Sequence, residues 1–200
     1  MNNINYVNFL ALIIAYLIGS VPSAVWIGKF FYKTDVRQHG SGNAGATNVI
    51  RVLGKRAGIM VLIIDILKGF AAVRLSYLFV GNLAGTSKII FEIIFALFAV
   101  IGHIFPIFAG LRGGKGVATI VGTLIALFPM AILLASIVFF TVFLISKYVS
   151  LGSIISALSL PFIIGFLPNE HTTPYLVLSI IIAIFIPITH YKNIKRLLKG

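Results

Sequence analysis

Three short polar stretches interrupt an otherwise apolar chain, and each carries side chains suited to holding an anion. The first is Gly40-Ser41-Gly42-Asn43-Ala44-Gly45-Ala46-Thr47-Asn48-Val49-Ile50-Arg51. Its glycines permit the positive φ values that turn successive backbone N–H groups toward one anion, and Ser41, Asn43, Thr47 and Asn48 add donors. Gly40, Gly42 and Gly45 also match G-x-G-x-x-G. That fingerprint requires a strand before it within a βαβ unit, and here long apolar runs flank it, so dinucleotide binding is not implied.

The second stretch runs from Gly102-His103-Ile104-Phe105-Pro106 to Gly110-Leu111-Arg112-Gly113-Gly114-Lys115-Gly116-Val117-Ala118-Thr119. A nucleotide P-loop is excluded: Ala109 stands where its first glycine belongs, Gly116 replaces the hydroxyl that would hold magnesium, and no strand precedes it. Glycines around Lys115 at the start of a helix still offer N–H groups, a positive helix end and a point charge to a phosphate. The plainer reading is a basic loop that sets membrane orientation. The third stretch, His190-Tyr191-Lys192-Asn193-Ile194-Lys195-Arg196, spaces an imidazole and an amide so that one helical face presents both. Its plainer reading is an anchor for anionic lipid.

What must position these stretches is a membrane. Of the 200 residues 60% are hydrophobic and 10% charged, and the mean hydropathy is +1.10, well beyond a soluble average of about a quarter charged. The apolar runs predict an all-α integral membrane protein of about seven transmembrane helices near residues 6–28, 57–80, 89–109, 116–128, 130–146, 151–167 and 174–190, forming one domain over 1–200. The first run has no basic segment before it and no small-residue cleavage site after it, so it reads as a retained span. Residues 116–146 suffice for two short helices turning at Pro129, or for one long tilted span.

The net charge of +12 marks orientation, not nucleic acid. With spans alternating from an outside N-terminus, 13 of the 16 Lys and Arg fall on one side, which is then cytoplasmic along with the C-terminus. All three polar stretches gather there. Within the second span, Asp65 and Lys68 are spaced to neutralise one another. His103, shortly before Pro106, reads as structural, satisfying backbone groups that the proline frees. The chain has no cysteine, which rules out a thioester intermediate on the protein, and nothing in the sequence calls for a metal or cofactor.

The S-G-N-x-G-x-T-N pattern at Ser41–Asn48, the G-H-x-x-P and G-G-K-G-V-A-T patterns, the segment Lys147–Ser153 and the terminal H-x-x-N-I-x-R-L-L together resemble the PlsY family, bacterial glycerol-3-phosphate acyltransferases that use acyl phosphate. One departure is visible: Lys192 stands where an acidic residue commonly precedes the Asn of the last motif. The resemblance implies a seven-span enzyme of the bacterial cytoplasmic membrane. It implies transfer of a fatty acyl group from acyl phosphate to the 1-hydroxyl of glycerol 3-phosphate, giving lysophosphatidate and phosphate, the first acylation of phospholipid synthesis. Its partners are then the two small substrates and membrane lipid.

Two phosphorylated substrates need two anion cradles. Ser41, Gly42, Asn43, Thr47, Asn48 and Arg51 supply one, and Gly113, Gly114 and Lys115 the other; which phosphate sits in which is left open. Lys115 or a glycine N–H would stabilise the oxyanion, and His190, with Asn193, is the side-chain candidate for proton removal, a substrate phosphate oxygen being the alternative. Ser153 resembles a family position in contact with substrate. No His-x-x-x-x-Asp dyad of the acyl-CoA-dependent acyltransferases exists in the chain: Ala44, Phe108, Leu176 and Lys195 follow the four histidines at that spacing. The rival from another class is a transporter for a phosphorylated solute, whose site would lie near the bilayer midplane.

Overall fold

The computed structural model describes residues 6–79, 81, 83–168 and 173–198. Lys199 and His171, which entered the charge and dyad arguments, lie outside them. The described chain is all helix and loop, in two compact units, 1–127 and 128–200.

The first unit holds six helices: α1 Tyr6–Gly19, α2 Ser23–Tyr32, α3 Ala46–Leu53, α4 Lys55–Ser76, α5 Gly85–Ile104 and α6 Val117–Leu127. The single first span expected over 6–28 is broken. Pro22 has no N–H to continue the ladder, and α1 and α2 meet at a bend of 44°. A break in a membrane helix leaves backbone groups that water cannot reach, so protein must satisfy them. Lys68 Nζ donates to Val21 O at 2.8 Å, and Ser23 Oγ donates to Asp65 Oδ1 at 2.7 Å. The expected pair is present, with Lys68 Nζ and Asp65 Oδ1 2.9 Å apart, and it also mends the broken span.

Packing in this unit relies on small residues, as it must where lipid removes most of the hydrophobic drive between helices. On α4 and α6, a Cβ at Gly69 would meet the Thr119 carbonyl, and one at Gly122 the Ile66 carbonyl. The cluster Ala24, Val25, Val36, Ala44, Val49 and Val61 ties α2, the following loop, α3 and α4 together.

The second unit holds α7 Pro129–Ser146, α8 Val149–Phe166, α9 Thr173–Thr189 and α10 Tyr191–Leu197. Pro129 occupies the first turn of α7, where its missing N–H costs nothing. Residues 116–146 therefore form two helices, with Phe128 at φ −150° and ψ 81° between them. Ser156 Oγ on α8 donates to Ala135 O on α7 at 2.6 Å, and α9 bends by 60° into α10 just beyond Pro187. Leu133, Ile137, Phe140 and Leu144 form an exposed stripe on α7, the face a helix presents to lipid.

Among the described residues three helices are long and apolar enough to cross a bilayer, or up to five if each bent pair makes one span. The two further runs expected to cross differ for separate reasons. α4 has 22 residues but carries Lys55, Arg56, Asp65, Lys68 and Arg74, and α6 has only 11.

Candidate active site

The loop between α2 and α3 is organised by one amide. Asn48 Nδ2 donates to Val36 O at 2.8 Å and to His39 O at 3.1 Å, while its Oδ1 accepts from the Ser41 N–H at 2.8 Å. The side chain is 3% exposed, so Asn48 shapes the loop from beneath. Gly40 lies at φ +60°, and a Cβ there would strike Asn48 Oδ1, so this turn requires glycine twice over. Ser41 and Asn43 are half-buried above it, and Gly42, Thr47 and Arg51 are exposed. Among the described residues Arg51 forms no ion pair, and it stands on α3, whose first-turn N–H groups have no side-chain cap.

The second loop descends from α5, turns at Ile107–Ala109 and climbs to α6 through Lys115. Here the expected duty of the glycines changes. Gly113 N–H donates to Ile104 O at 3.1 Å and Gly114 N–H to His103 O at 3.2 Å, so these amides are committed to the backbone. Their small size is what the loop uses: a Cβ at Gly113 would meet the His103 carbonyl, and one at Gly114 the His103 imidazole. Lys115 is half-buried and immediately precedes Gly116, at φ +84°, and the first turn of α6. Lys115 thus sets a positive charge beside the N-terminus of α6.

The two loops touch. The same Cβ position on Gly114 lies 3.1 Å from Ala44 O. Arg37 clasps them. Its Nε and Nη2 grip Asp35 Oδ1 and Oδ2 at 3.0 and 2.8 Å, and Nη1 donates to Ala109 O at 2.7 Å. The guanidinium holds the Asp35 carboxyl well below the usual carboxylate range, and the carboxylate raises Arg37 in turn. An acidic residue two positions before an arginine was the available signal.

His103 does not serve Pro106 as expected. The Tyr16 hydroxyl takes the Phe105 carbonyl at 2.8 Å, and the His103 ring is buried between Asp65 and Gly114.

In the second unit, His190 is 5% exposed and its Nδ1 lies 2.9 Å from Ile186 O. A carbonyl only accepts, so Nδ1 is the donor in this contact. His190 and Asn193 are not on one straight helix, because α9 ends at Thr189, but the Asn193 N–H donates to His190 O at 2.8 Å across the turn. Ser153, 7% exposed, donates to Val149 O at 2.9 Å on α8.

The glycerol-3-phosphate acyltransferase family model matches residues 9–200. A glycerol-3-phosphate acyltransferase of Enterococcus faecalis is 44% identical over 94% of this chain and 88% of its own length. That of Staphylococcus carnosus is 45% identical over 96% and 94%, and that of Listeria monocytogenes 46% over 94% and 91%. The crystal structure of PlsY, an integral membrane glycerol 3-phosphate acyltransferase, in its glycerol 3-phosphate form matches with a TM-score of 0.84 and 37% identity over 97% of this chain and 93% of that one. Its lysophosphatidic acid form matches at 0.80 with 35% identity and the same coverage. With the two joined loops, the buried histidine and a match along nearly its whole length, the chain belongs to the glycerol-3-phosphate acyltransferase family, as a multi-pass membrane protein.

Proposed function

We infer that this protein transfers a fatty acyl group from acyl phosphate to the 1-hydroxyl of glycerol 3-phosphate, releasing lysophosphatidate and phosphate. The observation that supports the reading is the contact between the two polar loops, Gly114 against Ala44 and Arg37 against Ala109, the loops from which the proposed cradles of Ser41, Asn43, Thr47 and Arg51 and of Lys115 are built. Two phosphates can be bound in such neighbouring cradles, with their reacting groups held in line.

Acyl phosphate is already activated, so the glycerol oxygen attacks the carbonyl directly, the new C–O bond forms, and the bond to phosphate breaks. Lys115 balances charge on the carbonyl oxygen or the departing phosphate. The hydroxyl proton leaves to a base, for which a phosphate oxygen and His190 are the two candidates; the roles of His190, Asn193 and Ser153 rest on their family motifs. Gly42 keeps the first loop open to substrate, while Asn48, Gly113 and Gly114 hold the two loops in shape.

The chain works as one acyltransferase over 1–200, crossing the cytoplasmic membrane seven times with the N-terminus outside and the site in the cytoplasm. The one-sided basic residues support that orientation. A cysteine introduced at Ser41 then reacts with an impermeant reagent from the cytoplasmic side only, and labelling from outside overturns the map.

Purified protein given acyl phosphate and labelled glycerol 3-phosphate should place label in lysophosphatidate, and acyl-CoA should not replace the donor. Lys115→Ala and Arg51→Ala should each lose one charge-assisted hydrogen bond, about 1.5–3 kcal/mol, or about tenfold to hundredfold in kcat/KM. Label that crosses liposome membranes without entering lipid would establish the transporter instead.

A further inference from the structure

Behind the Lys115 loop lies a polar cluster that the reaction as described does not use. Asp65, 1% exposed, Lys68 and His103, each 6% exposed, and Ser23, 4% exposed, line one small cavity whose far wall is Gly113 and Gly114. Asp65 Oδ1 accepts from Ser23 Oγ and Lys68 Nζ and lies 3.6 Å from His103 Nδ1, too far for a direct hydrogen bond. His103 Nδ1 and Asp65 Oδ2 make no hydrogen bond to any described residue. A buried carboxylate and imidazole are costly in such a place, and mending the α1–α2 break employs only Lys68 and Asp65 Oδ1. The imidazole is left without a duty to that break.

Its other edge has one. A Cβ on Gly114 would overlap His103 Nε2 and come within 2.9 Å of its Cε1, so the ring rests directly on the Gly114 backbone. The same residue is bonded to that loop through its main chain, Gly114 N–H to His103 O. The peptide that precedes Lys115 is thus held from both sides by His103, and the ring is the only one of the two supports that a side-chain change can remove.

We propose that His103, oriented by Asp65, is a positioning residue: its imidazole edge sets the height of the Gly114 backbone and so aims Lys115 at the reacting phosphate. This deepens the reading of Lys115 given above and rests on it. Asp65 supplies the negative charge that keeps the ring facing inward, and Ser23 and Lys68 fix the carboxylate. The ring packs against the Gly114 backbone, and its effect on Lys115 passes through that residue.

Spatial exclusion gives a test that general loss of stability cannot imitate. In the purified full-length enzyme, with acyl phosphate and glycerol 3-phosphate, Gly114→Ala should lower kcat/KM about tenfold or more, because methyl and imidazole cannot share the space. His103→Asn places an amide near the Nδ1 position, facing Asp65, and vacates the Nε2 end. It should lower kcat/KM severalfold on its own. Combined with Gly114→Ala it should give an enzyme at least fivefold better than Gly114→Ala alone, falling short of wild type because Ala44 O is still 3.1 Å from the new methyl. Should His103→Asn fold poorly, His103→Gln and His103→Ala in the same cycle, with thermal stability recorded for each, give the same comparison. Multiplicative or worse-than-multiplicative losses in folded double variants would overturn the proposal. Lys115→Ala separates the two readings: if it keeps normal activity the role of Lys115 fails, while rescue of Gly114→Ala by His103→Asn, measured as thermal stability, still reports the ring against the backbone.

Discussion

Asp35 and Asp65 are each followed within three residues by a cation that grips them, yet they do opposite work. Asp35 sits in the loop after α2, 12% exposed at its side chain, and both its oxygens are taken by the Arg37 fork. The pair is saturated, and the guanidinium has a donor left over for the neighbouring loop at Ala109 O. Asp65 sits inside α4 with one oxygen crowded by Ser23 and Lys68 and the other without a hydrogen bond to any described residue. A satisfied pair near water makes a clasp. The interior pair instead gathers Ser23, Lys68 and the nearby His103 ring around one oxygen, so the same carboxylate serves the broken helix and faces the imidazole. The spacing of charges in sequence does not separate these cases; the number of acceptors filled does.

The largest test of the contrast is Lys68→Ala. It strands a buried carboxylate and leaves Val21 O without its donor, so about 3–5 kcal/mol of stability should be lost, read as unfolding in detergent. Adding Asp65→Asn removes the stranded charge and should return part of that stability but not the activity. A Lys68→Ala protein as stable as wild type would show that the interior pair is no more essential than a surface one.

Arg37→Ala comes next. It opens the clasp between the loops, and each lost charged hydrogen bond is worth about 1.5–3 kcal/mol. The expected result is a rise of about tenfold in KM for one or both substrates with a smaller change in thermal stability, because the helices do not depend on the clasp. Arg37→Lys should not restore KM, since an ammonium cannot hold both carboxylate oxygens and reach Ala109 O. Equal effects of Arg37→Ala on stability and on KM would erase the distinction drawn here.

The smallest effects concern acid. The Asp35 carboxyl is lowered in the fold relative to the unfolded chain, so the unfolded chain takes up the proton first as pH falls. The stabilisation from Asp35 is therefore complete above the ordinary carboxylate value and is lost progressively below it, down through the folded value. The stability difference between wild type and Asp35→Asn should be flat from neutral pH to about pH 5 and shrink below that. A difference that grows on acidification would contradict the sign. Lys29, 3.5 Å from Asp35 with a side chain 54% exposed, should matter by less than about 1 kcal/mol when changed to Ala.

The sequence by itself determined the solvent, the all-helical class and the family. Apolar runs interrupted by Gly and Pro leave a chain in lipid no choice but helices, and five ordered motifs are specific enough to name an acyltransferase. It also marked Asp65 with Lys68 as a pair, and Arg51, Lys115 and His190 as chemistry-bearing groups, because isolated polar residues stand out against an apolar background. Only the tertiary structure decided how those groups are held. That Asn48 spends its amide on its own loop, that Gly113 and Gly114 use their N–H groups on α5 carbonyls, that Arg37 joins two loops 72 residues apart and that His103 lies against Gly114 are facts of filled valence and shared space. Sequence spacing cannot carry them, because a donor's partner is chosen by which backbone group the fold leaves unsatisfied, and that choice is made between segments far apart in the chain.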